Sequence, residues 1–182
     1  LLGRLTKAGT EHRKALRTIE IWLDVVPWRG MWQELDTYGF KVRNSCSTMH
    51  KLGYRDLVAS DFQDSDVDEW TLNRLNEYGR AYRASGCKDK KILMGLKHRL
   101  PEGFLQRAGL HFNYETALNM FMQRRSHAVP EWHWQNAPFH KKNAPEALAA
   151  AKGYWPSFCD MLWSLPAFPE IAKHDYRFKA PE

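Results

Sequence analysis

Residues 64–85, DSDVDEWTLNRLNEYGRAYRAS, carry the clearest helical pattern in the chain and constrain the fold most. Val67, Trp70, Leu75, Tyr78 and Tyr82 recur near one face. Acidic residues crowd the start, where a helix macrodipole favours them, and Gly86 follows as a stop. An amphipathic helix must lay its apolar stripe on a packed neighbour, and the sequence offers further helices. One is expected over DKKILMGLKHR, ending before Pro101. Another is expected over HFNYETALNMFMQRRSHAVPEW, residues 111–132, with Tyr114, Leu118, Phe121 and Met122 as its stripe. Beyond it Pro130, Pro138 and Pro145 break the chain into short pieces. NAPEALAAAKGY reads as one more short helix, and WPSFCDMLWSLPAFPEI as a proline-punctuated aromatic segment.

The N-terminal part is ambiguous. In TEHRKALRTIEIWLDVV, Leu16, Ile19, Leu23 and Val26 keep a helical period, while TIEIWLDVV alternates like a strand. Pro27 and Gly30 interrupt the pattern, and MWQELDTYGF reads as a short helix ending at Gly39. Strands are poorly signalled, so a few are expected beside many helices. The expected fold is a single α+β domain over residues 1–182, helix-rich, with a small mixed or antiparallel sheet.

Apolar residues make up 43% of the chain and charged residues 26%, a globular balance. No apolar run approaches the roughly 20 residues needed to span a bilayer, and LLGRLTKAGTEHRK lacks the apolar core of a signal peptide. Cys46, Cys87 and Cys159 are widely spaced, which fits a reducing cytoplasm better than a disulfide framework. The net charge of +6 favours anionic partners without singling out nucleic acid, because the basic residues are scattered along the sequence.

Two constellations have chemistry to offer. On a helix starting by Asn113, Arg124 returns to within about 20° of that residue, with His127 close to the same line. An amide, a guanidinium and an imidazole would then share one face. Asn119 is a second interior asparagine that helix propensity does not explain. The other constellation is RNSCSTMHK, where Ser45, Ser47 and Thr48 lie between Arg43, His50 and Lys51, a composition suited to a phosphate cradle or to a capped turn. The glycine pattern of a P-loop is absent, as is a Gly-x-Ser-x-Gly elbow. His127 and Glu131 are separated by Pro130, which argues against a zinc motif, and no metal site is expected.

Both constellations resemble parts of the flavin-dependent thymidylate synthases. LPEGFLQRAGLHFNYETALNMFMQR places Pro101, Asn113, Asn119 and Arg124 at the family's spacing without a gap. The resemblance implies that Asn113 and Asn119 lie against FAD and that Arg124 holds the nucleotide and stabilises charge on it. Lys97 stands where the family has a nucleotide-binding arginine. ELDTYGFKVRNSCSTMH resembles the family signature more loosely. It sets Glu34 and Ser47 on the substrate side, with Ser47 at the phosphate-contacting serine, and Tyr38 and Arg43 on the cofactor side. Thr37 and Gly39 replace two signature arginines and Met49 a third, although Lys41 and Arg43 lie nearby.

The family's chemistry is methyl transfer to C5 of dUMP, with methylenetetrahydrofolate as carbon donor, NADPH as reductant and hydride delivered by the reduced flavin. The implied protein is therefore a short, divergent, phage-type member. It would be a homotetramer binding a pyrimidine deoxynucleotide and holding FAD weakly. Alternatives are a nucleotide hydroxymethylase, or a non-catalytic nucleotide- or nucleic-acid-binding protein on the same scaffold.

Overall fold

The computed structural model describes residues 1–45, 51–127, 132 and 157–178. NAPEALAAAKGY and Ser47 lie outside the described residues. The chain divides into two compact units, one formed by Trp22–Leu110 and the other by Leu1–Ile21 with His111–Glu182.

The architecture is α+β. Three strands, β1 (Glu20–Val25), β2 (Lys41–Ser45) and β3 (Ala108–Asn113), form an antiparallel sheet of order β1-β3-β2. In β3 the sequence AGLHFN alternates: Ala108, Leu110 and Phe112 are buried, while Gly109 is exposed and His111 and Asn113 are half-buried. That period of two is the pattern of a strand with one buried face. Register is marked by charge pairs across β1 and β3. Glu20 meets His111 at 2.6 Å, and Asp24 pairs with Arg107.

In the Trp22–Leu110 unit, helix α2 spans Arg29–Leu35, α3 spans Glu69–Ala84 and α4 spans Lys90–His98. Asp68 caps α3 by accepting from the Thr71 N–H at 2.8 Å, which satisfies a donor that the first helical turn leaves unbonded. Leu75 and Tyr82 of α3 face Leu93 and Leu96 of α4 in a core that also holds Leu52, Leu57, Phe62 and Leu100. Val67 and Tyr78 pack at the edge of this core, but Trp70 is 76% exposed. Trp70 lies about 140° around the helix from Leu75, so the expected stripe is narrower than the sequence reading had it. Buried Asn76 replaces a backbone partner for Leu57, accepting from its N–H at 2.6 Å and donating to its C=O at 2.9 Å.

In the other unit, helix α1 (Leu2–Lys7) is followed by a 3-10 helix, Thr10–Thr18. Helix α5 spans Tyr114–Arg124, α6 spans Phe158–Trp163 and α7 spans Phe168–Lys173. Leu118, Met120 and Phe121 are completely buried. Phe121 stacks on Trp163 at 5.4 Å and meets Phe168 edge-on at 5.6 Å, favourable geometries for aromatic pairs. The ambiguous N-terminal segment is thus a 3-10 helix and then a strand, with Ile19 at the junction; the strand alternation holds, while the helical period does not, since Leu23 lies in β1 and Val26 beyond it.

Candidate functional site

The stretch from His111 to Trp132 is not one helix. Its first three residues close β3, and Asn113 is the N-cap of α5, accepting from the Thr116 N–H at 3.0 Å. The expected row of Asn113, Arg124 and His127 along one helical face is therefore corrected. A residue with extended backbone, φ −108° and ψ 171°, does not share the helical angle of those that follow. Asn113 sits at the strand-to-helix turn, at the opposite end of α5 from Arg124.

Asn119 is half-buried mid-helix, and its Oδ1 accepts from Arg177 Nη1 at 2.9 Å. Arg177 also grips Asp175, donating to both carboxylate oxygens at 2.8 Å. Arg13 reaches Asp175 from the 3-10 helix at 3.0 Å, both side chains being almost wholly buried. Burial works to raise the Asp175 pKa. Hydrogen bonds from the Arg177 side chain and backbone, with the charges of Arg177 and Arg13, outweigh burial and hold the carboxyl below its usual range.

Arg124 ends α5. Its Nη1 donates to the His127 ring nitrogen at 2.8 Å, which makes Nε2 of a neutral imidazole the acceptor. Its guanidinium carbon lies 5.0 Å from the centre of the Trp132 ring, within cation–π range. Trp132 is fully buried, and among the described residues its Nε1–H has no hydrogen-bond partner. A buried unpaired donor costs on the order of 1–3 kcal/mol, which an incoming carbonyl oxygen would recover. Nothing in the sequence linked Trp132 to Arg124. Burial pushes the thiol of nearby Cys159 up, with Asp160 adding to the effect, so it is a poor nucleophile.

The remaining candidates lie in the Trp22–Leu110 unit. Glu34 is on α2, half-buried, and Tyr38 is buried just beyond that helix. Arg43 on β2 donates to Asp36 at 3.0 Å and stacks over Trp32 at 4.9 Å. Lys41 also reaches Asp36, at 3.2 Å. Lys97 is half-buried in the last turn of α4.

As a test of fit to a flavin, these positions give a mixed answer. Asn113 and Asn119 are hydrogen-bonding amides, as a flavin ring requires. The two cations able to stand in for the missing arginines, Lys41 and Arg43, both engage Asp36. Thr37 turns its hydroxyl to the Glu34 carbonyl at 2.7 Å, and a side chain added at Gly39 would meet nothing within 4 Å. The described residues 34–45 thus offer amphipathic and paired groups but no unengaged cation for a cofactor phosphate. Among the described residues no cluster of three or more metal-ligating side chains occurs. No helix among them is long and apolar enough to cross a membrane.

The strand-capped helix, the small antiparallel sheet and the surrounding helices make up an α+β fold of the flavin-dependent thymidylate synthase type. A similar solved structure is that of thymidylate synthase X from Helicobacter pylori, with FAD and dUMP. Its TM-score is 0.52 at 13% identity, over 90% of this chain and 79% of that one. No protein family and no curated protein matches the sequence.

Proposed function

We propose that this chain binds a pyrimidine deoxynucleotide, dUMP, with Arg124 as its anchor, and that it holds FAD weakly. The observation that carries the reading is Arg124 against Trp132, whose buried N–H lacks an acceptor among the described residues, at the end of α5 in a fold shared with a dUMP- and FAD-containing enzyme. A uracil ring presents carbonyl oxygens to such donors. A guanidinium stays protonated and donates in a fixed plane, which suits both holding the base and stabilising negative charge on it. Ser47 and Lys97 are proposed for the nucleotide phosphate, with Glu34 on the substrate side, and Asn113, Asn119, Tyr38 and Arg43 for the cofactor. The reaction class is methyl transfer to C5, with methylenetetrahydrofolate and NADPH as co-substrates, in a homotetramer.

A specific observation favours a second reading. Asn113 Oδ1 and Asn119 Oδ1 are already engaged within the protein, and Asp36 holds both Lys41 and Arg43. A protein that retained nucleotide binding and lost firm flavin binding would have these features, as would a hydroxymethylase-type enzyme. Titration calorimetry with dUMP, run beside the absorbance spectrum of the purified protein, separates the readings. Binding of dUMP with a flavin band supports the first, and binding by a colourless protein supports the second. No dUMP binding by the folded protein overturns both. Light scattering tests the tetramer, which a strict monomer at micromolar concentration would remove.

A further inference from the structure

Basic residues are scattered along the chain, but the excess of positive over negative charge lies largely in one segment. Residues 88–99 hold five Lys or Arg against Asp89, a net +4 of the chain's +6. In α4, Leu93 and Leu96 point into the core, Lys91 and His98 lie on the opposite face and Lys90 on its flank, all three exposed, with Lys88 just before the helix and Arg99 just after it. Asp89 does not neutralise them. Its carboxylate accepts from the backbone N–H groups of Lys91 and Ile92 at 2.9 and 3.3 Å, as the N-cap. None of Lys88, Lys90 and Lys91 forms an ion pair with a described residue.

The placement runs against local electrostatics. The first turn of α4 holds Lys90 and Lys91 and no acidic residue, although cations are disfavoured at the positive end of a helix dipole. Functional sites are among the places where local rules of this kind are broken. The far end of the helix has a second arrangement. The Tyr78 ring lies close over Gly95, and the guanidiniums of Arg99 and Arg74 lie 4.7 and 5.2 Å from its centre, Arg74 being also paired with Glu77 at 2.7 Å. An arginine-flanked aromatic beside a row of lysines combines backbone neutralisation with a stacking platform. From Lys91 to Arg99 the helix rises about 12 Å. That exceeds one phosphate group and matches several successive phosphates of a polynucleotide strand.

We infer that the outer face of α4, with Arg74 and Tyr78 of α3, is a docking surface for single-stranded nucleic acid. It uses Lys88, Lys90, Lys91 and Arg99 and leaves out Lys97, which is proposed above for the nucleotide phosphate, so it does not depend on that site.

Fluorescence anisotropy of a labelled 20-nucleotide single strand with the full chain, between 50 and 200 mM salt, tests this. Four phosphate contacts give a slope of log affinity against log salt of roughly −3, a loss of about 60-fold over that range. Lys90→Gln with Lys91→Gln should halve the slope and weaken binding roughly tenfold or more at 100 mM salt. Lys7→Gln with Lys14→Gln removes the same charge from exposed positions elsewhere and should leave binding within twofold. Circular dichroism checks both variants, and Arg99→Gln provides a further lesion at the other end. No binding at 50 mM salt overturns the proposal. So does an equal loss in the two double variants, or binding to phosphatidylserine vesicles in place of the strand.

Discussion

Arg13 and Asp175, near opposite ends of the sequence, meet at 3.0 Å with 4% and 0% of their side chains exposed. Arg177 completes the arrangement from the other side of the carboxylate and passes one hydrogen bond on to Asn119. A charge held this deeply depends on its partners. Asp175→Ala leaves Arg13 buried and uncompensated and should destabilise the fold by about 3–5 kcal/mol. Chemical denaturation measures it. A loss near zero would mean that Arg13 reaches water when Asp175 is removed.

The same carboxylate has a pH signature. Its folded pKa is depressed, so its contribution to stability is fully present above the ordinary aspartate value of about 3.9. As pH falls through that value towards the folded pKa, protons bind the unfolded chain more readily and the contribution is lost. Thermal melts from pH 6 to pH 2 should show a steeper decline below about pH 4 in the natural protein than in Asp175→Asn. Parallel curves would count against the assignment.

Arg124→Ala is expected to weaken dUMP binding by one to two powers of ten, since a charge-assisted hydrogen bond contributes about 1.5–3 kcal/mol. Circular dichroism should be unchanged, because Arg124 lies at the C-terminal end of α5 and is only half-buried. Calorimetric titration decides; equal affinity in a folded variant removes Arg124 from the site.

Trp132→Phe is the sharper probe. It deletes the buried Nε1–H while keeping an aromatic ring beneath the guanidinium. The apo protein should be as stable or slightly more so, because an unsatisfied donor is gone, while dUMP affinity should fall about tenfold. A variant that binds dUMP normally would show that the N–H does not meet the ligand.

Restoring cations should tighten flavin. Thr37→Arg with Gly39→Arg is sterically open, since Gly39 is not among the glycines with positive φ and has free space around it. Flavin fluorescence quenching should show an affinity gain of about tenfold or more, given 1.5–3 kcal/mol per charge-assisted bond. Tight FAD binding by the natural protein would instead show that its phosphates are held elsewhere.

Helices with long apolar periods were legible in the sequence: α3 and α4 begin at acidic caps, Asp68 and Asp89, and end where Gly86 and Pro101 require. The strands were not, for a reason visible in β3. Ala108, Leu110 and Phe112 alternate over only six residues, too few to outweigh the helical period that begins at Tyr114. Asn113 was picked out as an odd residue for a helix interior, and the oddity was genuine, but its local explanation is that the helix starts after it. Arg177 carries no sequence signal at all. Its importance comes from Asp175 and Asn119, which only the tertiary structure brings to it.

The contact between Arg13 and Asp175 also orders events during synthesis. The Trp22–Leu110 unit is continuous in sequence and can assemble while translation proceeds. The N-terminal 3-10 helix has no such option, because its buried guanidinium finds its counter-charge only when Asp175 leaves the ribosome. Until then the first strand's lead-in is an orphan with a cation to shield. A nascent chain stalled before that point should therefore keep its N-terminus open to proteases and chaperones while its middle is already closed.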